Sequence, residues 1–393
     1  MPWMLLPFAL CALASAISNR AMDPLILPVA REFNVPVATA ALATSFYALP
    51  YAFGQPLLGP IGDFYGKIKV LRFCLWLQAL CLLAVVLSPT LMVLLAARLL
   101  GGFAGGGIMP VTMAIIGDRV EPAKRQLAMG QFLSAGMTGM IFATTVAGLL
   151  AEYINWRAIF VIGLAVALTA AAIMTFKVDE PSPDRQGQRI SFAHAAAGYK
   201  KVFANPRALI CFGAVFTEGI AIYGVLPFIG LILEVRGLGG AKEAGLIIAG
   251  VGIGGLIYSL SLKWLLKIFG RYQLMFIGGF FASAGIVSLS LGLAWQISAV
   301  LFCLTGMGYM LMHNSIQTEV AGLTTDSRGS AFSMHSFSLF CGQALGPLLV
   351  GPSIYYIGAT ATLIASGLVL LALGPLIAFL FARQRRLSGT SAF

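Results

Sequence analysis

The chain has 393 residues, of which 59% are hydrophobic and only 10% are charged, and its formal net charge is +11. A soluble core cannot bury that much apolar surface, so the composition excludes a soluble domain and indicates a polytopic membrane protein. The cations fall singly and in pairs between apolar runs rather than in one exposed patch, which argues against a nucleic-acid-binding protein.

Long apolar runs follow one another along the whole chain. Runs of at least about 18 apolar residues mark helices that cross a hydrocarbon core about 30 Å thick. The first run lacks a preceding basic stretch, so we expect it to be retained as a span rather than removed as a signal peptide. Twelve runs are present, at 5–30, 38–61, 70–88, 91–116, 127–150, 157–176, 207–233, 244–263, 272–292, 296–318, 329–350 and 357–382.

One long polar stretch, 177–206, separates spans 6 and 7. Its first part contains Pro181, Pro183 and several charges and cannot form a span, whereas 190–203 has the pattern of an amphipathic helix on the membrane surface. His194 falls in this helix, where we expect a solvated histidine. The expected units are a six-helix bundle, a cytoplasmic linker with an amphipathic helix, a second six-helix bundle and a basic cytoplasmic tail, at 1–176, 177–206, 207–382 and 383–393.

The two halves of the chain echo each other. One constant shift places Arg125 on Arg328, Gly139 on Gly342, Gly148 on Gly351 and Tyr153 on Tyr356. Leu27-Pro28 and Leu226-Pro227 occupy similar places in spans 1 and 7. The sequence therefore predicts an all-α membrane protein with twelve transmembrane helices in two pseudo-symmetric six-helix bundles, and a substrate site near the midplane between them.

The distribution of lysine and arginine predicts the orientation. Most of the 25 lie in the loops after spans 2, 4, 6, 8 and 10 or in the tail, whereas only Arg31, Arg157, Arg236 and Lys242 lie in loops on the opposite side. The positive-inside rule then puts both termini in the cytoplasm, and we expect a bacterial inner membrane.

No cofactor or metal chemistry is indicated. The six cysteines lie inside apolar runs without CxxC spacing, so neither a disulfide framework nor a zinc site is expected. The glycine-rich run 101–107 lies inside a span and lacks Gly-Lys-Ser/Thr, which indicates close helix packing rather than a nucleotide-binding loop. No HExxH and no serine–histidine–acid arrangement is present, so we do not expect an enzyme.

The charged turn between spans 2 and 3 carries a motif. The stretch 59–71, GPIGDFYGKIKVL, resembles the G-x-x-x-D-[RK]-x-G-[RK]-x-[RK] signature of the major facilitator superfamily. Phe64 stands where that family usually has a basic residue. The resemblance implies that this turn helps to latch the two halves together, with Asp63 near the start of span 11. The expected latch residues are Gly59, Asp63, Gly66, Lys67, Asp118 and Arg125.

Span 4 carries a second motif of the same family. The run Arg98-Leu99-Leu100-Gly101-Gly102, continued by Phe103-Ala104-Gly105, resembles the R-x-x-x-G-x-x-G pattern, whose arginine the family links to proton coupling. The segment from Asp118 through Arg125 to Gly130, together with Trp156-Arg157 and Phe160, resembles the drug:proton antiporter branch of this family. The antiporter signature of span 5 ends in Gly-Pro, but here Ala143-Thr144 occupy that place and Gly-Pro occurs at Gly346-Pro347 in span 11.

Ionisable residues inside the spans are few. A charge near the bilayer centre costs about 2.5–3.5 kcal/mol, so such residues usually face a cavity or a partner. Helix rise places Arg20, Asp23 and Arg98 at similar depth, and we expect a coupled cluster, with a static ion pair as the alternative. Glu218, read as the only acid deep in the second half, is a proton-carrier candidate because an apolar site favours the protonated carboxyl. A carboxyl hydrogen-bonded to a neighbouring helix is the alternative.

The remaining expected site residues are aromatic and polar. His313 and His335 can titrate near neutrality, although hydrogen bonding between helices is the commoner use of histidine in membranes. We expect proton coupling at Asp23, Arg98 and Glu218. The expected substrate cavity comprises Arg20, Asp23, Tyr47, Tyr51, Arg98, Tyr223, Phe228, His313, Gln317 and His335.

These features favour a secondary active transporter that moves a small organic solute by alternating access, with proton-coupled efflux as the leading hypothesis. A proton-linked or facilitative importer of an organic anion is the alternative, since Arg20 and Arg98 outnumber Asp23. A non-transporting membrane receptor or assembly factor on the same fold is a third hypothesis. The expected partners are the solute, protons and the lipid bilayer, without nucleic acid, and we expect a monomer.

Overall fold

The structure is a computed structural model that describes residues 2–179, 192–324 and 327–387. These described residues form twelve helical spans. The first half comprises α1 (2–32), α2 (Leu42–Tyr65), α3 (Lys67–Val86), α4 (Leu91–Arg119), α5 (Pro122–Tyr153) and α6 (Ala158–Phe176). The second half comprises α7 (Arg207–Val235), α8 (Ala241–Ile268), α9 (Arg271–Ser290), α10 (Trp295–Ala321), α11 (Arg328–Ile357) and α12 (Ala359–Leu387).

Ten of these helices, α3 to α12, are long and apolar enough over their described residues to cross a bilayer. The other two are the less regular spans α1 and α2. Helix α1 consists of Pro2–Arg20, a 3₁₀ turn Asp23–Leu25 and Ile26–Glu32, and α2 contains three prolines. The structure therefore has a helix at every predicted span. Most helices extend beyond the predicted limits, because hydropathy marks only the part of a helix that lies in lipid.

The linker and the tail are described in part. A linker helix, Phe192–Phe203, occupies the place of the predicted amphipathic helix, and Asn205 after it donates to the carbonyl oxygen of Leu323 at 3.1 Å. The first part of the linker, 180–191, and the side chain of His194 lie outside the described residues. The predicted tail is helical as far as Leu387, and 388–393 also lie outside the described part.

Helices α1 and α7 are broken at equivalent points. The turn Asp23–Leu25 is followed by Ile26–Glu32, and the turn Leu226–Phe228 is followed by Ile229–Val235, at the same 203-residue separation that relates Arg31 to Glu234. Each turn contains a proline, which lacks an N–H and interrupts the helical ladder. Pro24, rather than the predicted Pro28, therefore corresponds to Pro227.

Glycines allow the helices of the first half to approach closely. A side chain at Gly102 would collide with the backbone carbonyl of Tyr47, and one at Gly106 would lie 2.5 Å from that of Tyr51. The glycine-rich run thus brings α4 against α2, as the sequence indicated. Between α2 and α3, Gly66 has φ 106°, a conformation that side-chain-bearing residues rarely adopt.

The two halves touch closely at one end of the bundle, whereas a glycine of α5 toward the other end faces open space. We call these the Asn34 end, where α1 meets α2, and the Gly66 end, where α2 meets α3. At the Asn34 end a side chain on Gly148 of α5 would lie 2.6 Å from the carbonyl of Ala241 of α8. Gly130 lies about five turns earlier on the same face of α5, and nothing lies within 4 Å of its side-chain position.

Candidate functional site

An acid–base pair lies where α1 is broken. Arg20 ends the first segment of α1, and Asp23 begins the 3₁₀ turn three residues later, with 3.6 Å between Arg20 Nη1 and Asp23 Oδ2. Both residues are buried, at 7% and 1% exposure. The helix break places two charged side chains of one helix face beside each other, as the spacing predicted.

Arg20 reaches across to the second half. Its guanidinium carbon lies 4.0 Å from the centre of the Tyr223 ring on α7. Its Nη2 donates to Oε1 of Gln343 on α11 at 3.3 Å, and the Nε2 of Gln343 donates to Oδ1 of Asn19 at 3.3 Å. Arg20 is therefore a buried cation at the interface between the halves, and Tyr223 is its counterpart at the 203-residue separation.

Arg98 is buried within the first half. Its Nε donates to the carbonyl of Ala43 at 3.0 Å, another nitrogen donates to the carbonyl of Ser18, and its guanidinium carbon lies 4.0 Å from the centre of the Tyr47 ring. These contacts join α4 to α1 and α2. The structure thus places Arg98 behind the Arg20–Asp23 pair rather than facing the second half, and it holds the backbone of the turn that precedes the break.

A second acid–base pair lies in the second half. Glu218, with no exposed surface, precedes the π-helical segment Gly219–Tyr223 of α7, and its Oε2 lies 2.8 Å from Nδ1 of His313 on α10. The His313 ring is 4.7 Å from that of His335 on α11. In this group, Glu218 Oε1 and His335 Nε2 are buried without a hydrogen-bond partner. The 2.8 Å separation is that of an ordinary hydrogen bond between Glu218 and His313.

Aromatic rings connect the two pairs. The ring of Tyr223, beneath Arg20, is 5.9 Å from that of Tyr309, which in turn is 4.8 Å from the ring of His313. A continuous row therefore runs from Asp23 in the first half through Arg20, Tyr223, Tyr309 and His313 to Glu218. Its members come from three helices, α1, α7 and α10.

The other predicted cavity residues are spread over several helices, and not all of them contact this row. Tyr51 of α2 has its ring 4.3 Å from that of Phe340 on α11, so it lies at the interface between the halves. Tyr47 packs on Arg98, and Phe228 is buried in the broken part of α7. Gln317 is half-buried one turn beyond His313 on α10.

The predicted latch residues lie at the Gly66 end. Lys67 at the start of α3 and Asp118 near the end of α4 form an ion pair of 2.7 Å. Arg125 is half-buried in α5, and a side chain on Gly59 would meet open space. The side chain of Asp63 lies outside the described residues.

Three features were not predicted. Gln343 connects the two halves, and Tyr309 lies between the two acid–base pairs. Neither side chain carries a charge that hydropathy would single out. Glu319, on the last turns of α10, is also buried and forms an ion pair of 3.0 Å with Arg207. Glu218 is therefore not the only buried acid of the second half, although it is the one that lies at the interhelical row.

A cavity of about 470 Å³ lies away from this site. It is formed by α8, α9 and α10, and its walls are entirely apolar, including Trp264, Phe276 and Phe280, whose side chains are largely exposed on the outer surface of the bundle. In the described part of the chain, no group of three or more histidine, cysteine or acidic residues is arranged to hold a metal ion. The charged row is thus the chemically distinctive part of the interior.

Twelve helical spans in two repeated halves, with buried ionisable groups at their interface, define a polytopic membrane transporter. The profile of the Major Facilitator Superfamily matches residues 8–324. The chain belongs to this superfamily, which confirms the resemblance drawn from the motifs, and its members are transporters rather than enzymes.

Curated relatives and solved structures extend this finding. The chain is 24% identical to Multidrug resistance protein 1 of Bacillus subtilis, over 83% of this chain and 84% of that one. It is 26% identical to Chloramphenicol resistance protein CraA of Acinetobacter baumannii, over 80% and 76%. The crystal structure of the nucleoside transporter NupG superposes with a TM-score of 0.77 at 16% identity, covering 96% and 99%, which confirms the fold.

Proposed function

We propose that this protein is a secondary active transporter that exports a small organic solute in exchange for protons. The observation that carries the proposal is the row of contacts between two buried acid–base pairs, Arg20–Asp23 and Glu218–His313, on opposite sides of the interface between the halves. Buried ionisable groups are costly in a membrane and mark substrate or proton pathways, so a static scaffold has no need for two such pairs.

Alternating access follows from how the halves meet. With both termini in the cytoplasm, the Gly66 end faces the cytoplasm and the Asn34 end faces outward. The halves touch through Gly148 of α5 and Ala241 of α8 at the Asn34 end, while Gly130 faces open space. The structure then corresponds to an inward-facing state, and transport requires the α5–α8 contact to open as the Gly66 end closes. The proposed moving units are 1–176 and 207–382, joined by 177–206.

Proton coupling is assigned to the two carboxyl groups. Glu218 is hydrogen-bonded to His313, and Asp23 lies beside Arg20, so protonation of either acid makes the net charge of the interior more positive by one unit. Arg98 contributes by holding the backbone of α1 next to the break through the carbonyl of Ser18. The charge state of the row thereby affects the free energy of bringing the two halves together.

Closure of the Gly66 end is assigned to the latch residues. Lys67 and Asp118 already tie α3 to α4, which makes the turn at Gly66 a rigid part of the first half. We propose that Asp63, next to this turn, meets the start of α11 on closure, where a carboxylate is favoured by about 0.3–1 kcal/mol. Phe64 in place of a basic residue weakens the contact.

The efflux direction is supported by two relatives named for multidrug and chloramphenicol resistance. A second candidate is a proton-linked or facilitative importer of an organic anion. It is favoured by Arg20, which lies between the halves with its Nη1 lacking a hydrogen-bond acceptor. We propose a monomer in a bacterial inner membrane for either direction.

Reconstituted vesicles test the proposal. The purified protein is placed in proteoliposomes, and uptake of candidate solutes into right-side-out and inside-out populations is measured with and without an imposed pH gradient. Export by antiport predicts that the solute accumulates against its concentration gradient only when protons flow down their gradient in the opposite direction. Solute flux that ignores the pH gradient in both populations would contradict proton coupling, and co-directional flux would favour the importer.

A further inference from the structure

Gln343 is the residue by which the second half touches Arg20 through a hydrogen bond. It is 1% exposed, and its single amide contacts two consecutive residues of α1, accepting from Arg20 and donating to Asn19 at 3.3 Å each. Both contacts are long for hydrogen bonds, whose usual donor–acceptor distance is about 2.9–3.0 Å. The amide therefore occupies Arg20 without binding it tightly.

Arg20 is only partly satisfied by these neighbours. A guanidinium has five N–H donors in a planar fork that matches a carboxylate bidentately. Arg20 Nη1 has no hydrogen-bond acceptor, and its nearest carboxylate oxygen, on Asp23, is 3.6 Å away. Arg98 also has one nitrogen, Nη2, without a hydrogen-bond partner, but its other nitrogens donate to two backbone carbonyls of its own half and its guanidinium lies on the ring of Tyr47. Arg20 is thus the arginine that remains available to a ligand between the halves.

The backbone of α11 at Gln343 packs closely against α7. A side chain on Gly219 would lie 2.8 Å from the backbone nitrogen of Gln343, and one on Gly224 would lie 2.8 Å from the Cα of Gly346 on α11. Such contacts leave no room for α11 to slide on α7. Helix α7 carries Glu218 before its π-helical segment, so release of Gln343 removes one of the contacts that hold α7, α11 and Glu218 to α1, beside those of Tyr223 and Glu234.

From these contacts we propose that Gln343 is a specificity-determining residue, whose amide occupies Arg20 in the empty transporter and is displaced by the carboxylate of an anionic or zwitterionic solute. A carboxylate brings an opposite charge and can accept two parallel bonds from the guanidinium, whereas the neutral amide oxygen of Gln343 accepts one bond from it. A carboxylate gains from the exchange, whereas an isosteric neutral amide does not. The inference rests on the proposed transport function for its substrate class, and it links solute binding to separation of α11 from α1.

The test compares a carboxylate with its neutral analogue. Benzoate and benzamide serve as probes, and their dissociation constants for the purified full-length protein in detergent are measured by ligand-induced thermal stabilisation. In Gln343→Leu we expect benzoate to bind about fivefold more tightly, since removing a competing hydrogen bond of ordinary strength has about that effect. Benzamide affinity should rise less, because its amide oxygen offers Arg20 neither a negative charge nor a second acceptor for the planar fork. Gln343→Asn, which keeps an amide but shortens its reach, should resemble Gln343→Leu and guards against misfolding of either variant.

Gln343→Glu reverses the effect, because a fixed carboxylate beside Arg20 excludes a free one and weakens benzoate binding. Gln78→Leu is the matched control, since it removes a buried amide that bonds Ser18 within the first half. Gln78→Leu should lower the stability of the protein without changing the ratio of its affinities for benzoate and benzamide. Unchanged benzoate affinity in Gln343→Leu and Gln343→Asn, or equal tightening of both probes, would overturn the assignment. These binding constants need no pH gradient, so they stand or fall separately from proton-coupled flux.

Discussion

Replacing Glu218 by glutamine separates proton coupling from structure. The carboxyl has no exposed surface and lies 2.8 Å from Nδ1 of His313. Glutamine keeps the shape and can accept from His313, so only the charge assistance is lost, which corresponds to about 1 kcal/mol. Glu218→Leu leaves His313 without this partner and should cost about 1–3 kcal/mol. We therefore expect Glu218→Gln to remain folded yet lose flux driven by a pH gradient.

The assay pairs proteoliposome flux with thermal unfolding. Exchange of labelled for unlabelled solute at equal pH should persist in Glu218→Gln, because exchange needs no net proton movement. Glu319→Gln is the matched control, since Glu319 is also a buried acid of the second half but is paired with Arg207 near the Gly66 end. It should lower stability, because breaking such a pair leaves a charge, while the response to the pH gradient stays intact. Wild-type gradient-driven flux in Glu218→Gln would refute the role given to Glu218.

Three further predictions address the rest of the site. Asp23→Asn removes the partner of Arg20 and should abolish gradient-driven transport while leaving solute binding measurable; full gradient-driven flux would contradict it. Arg31→Gln removes an exposed ion pair with Glu234, worth about 0–1 kcal/mol, so cysteine-accessibility labelling should show at most about a fivefold shift toward the outward-facing state. Gly102→Ala forces α4 away from α2 and should lower the free energy of unfolding by about 1–3 kcal/mol, measured by thermal unfolding.

The sequence predicted the helices well because length and apolarity decide what spans a bilayer. Helix α4 was placed at 91–116 and is Leu91–Arg119, whereas α5 was placed at 127–150 and is Pro122–Tyr153, since its first turns are too polar for the hydropathy criterion. Helix limits in the polar interface depend on caps and turns rather than on apolarity. The fold could therefore be predicted more completely than the ends of its elements.

For the site, the sequence predicted only how deep each residue lies in the membrane. Charge is expensive in a membrane, so Glu218 and Arg20 stood out at once, and helix rise gave their depth. The direction in which each side chain points depends on helix packing, so the sequence allowed a hydrogen bond from Glu218 to a neighbouring helix but did not predict His313 as the partner. Gln343 escaped notice because a neutral amide carries no such penalty. The roles of all these residues in transport stay predictions until flux is measured.

The position of Arg20 over Tyr223 has an implication for how the two halves differ. These residues occupy equivalent places 203 residues apart, the same separation that links Arg31 and Glu234. In a dimer of identical six-helix chains, a residue on the two-fold axis meets its own copy. Two buried arginines would repel each other there, and so would two glutamates at the position of the Arg31–Glu234 pair. Both contacts exist only because one chain contains two unequal copies, so attraction across the axis depends on sequence divergence between the halves.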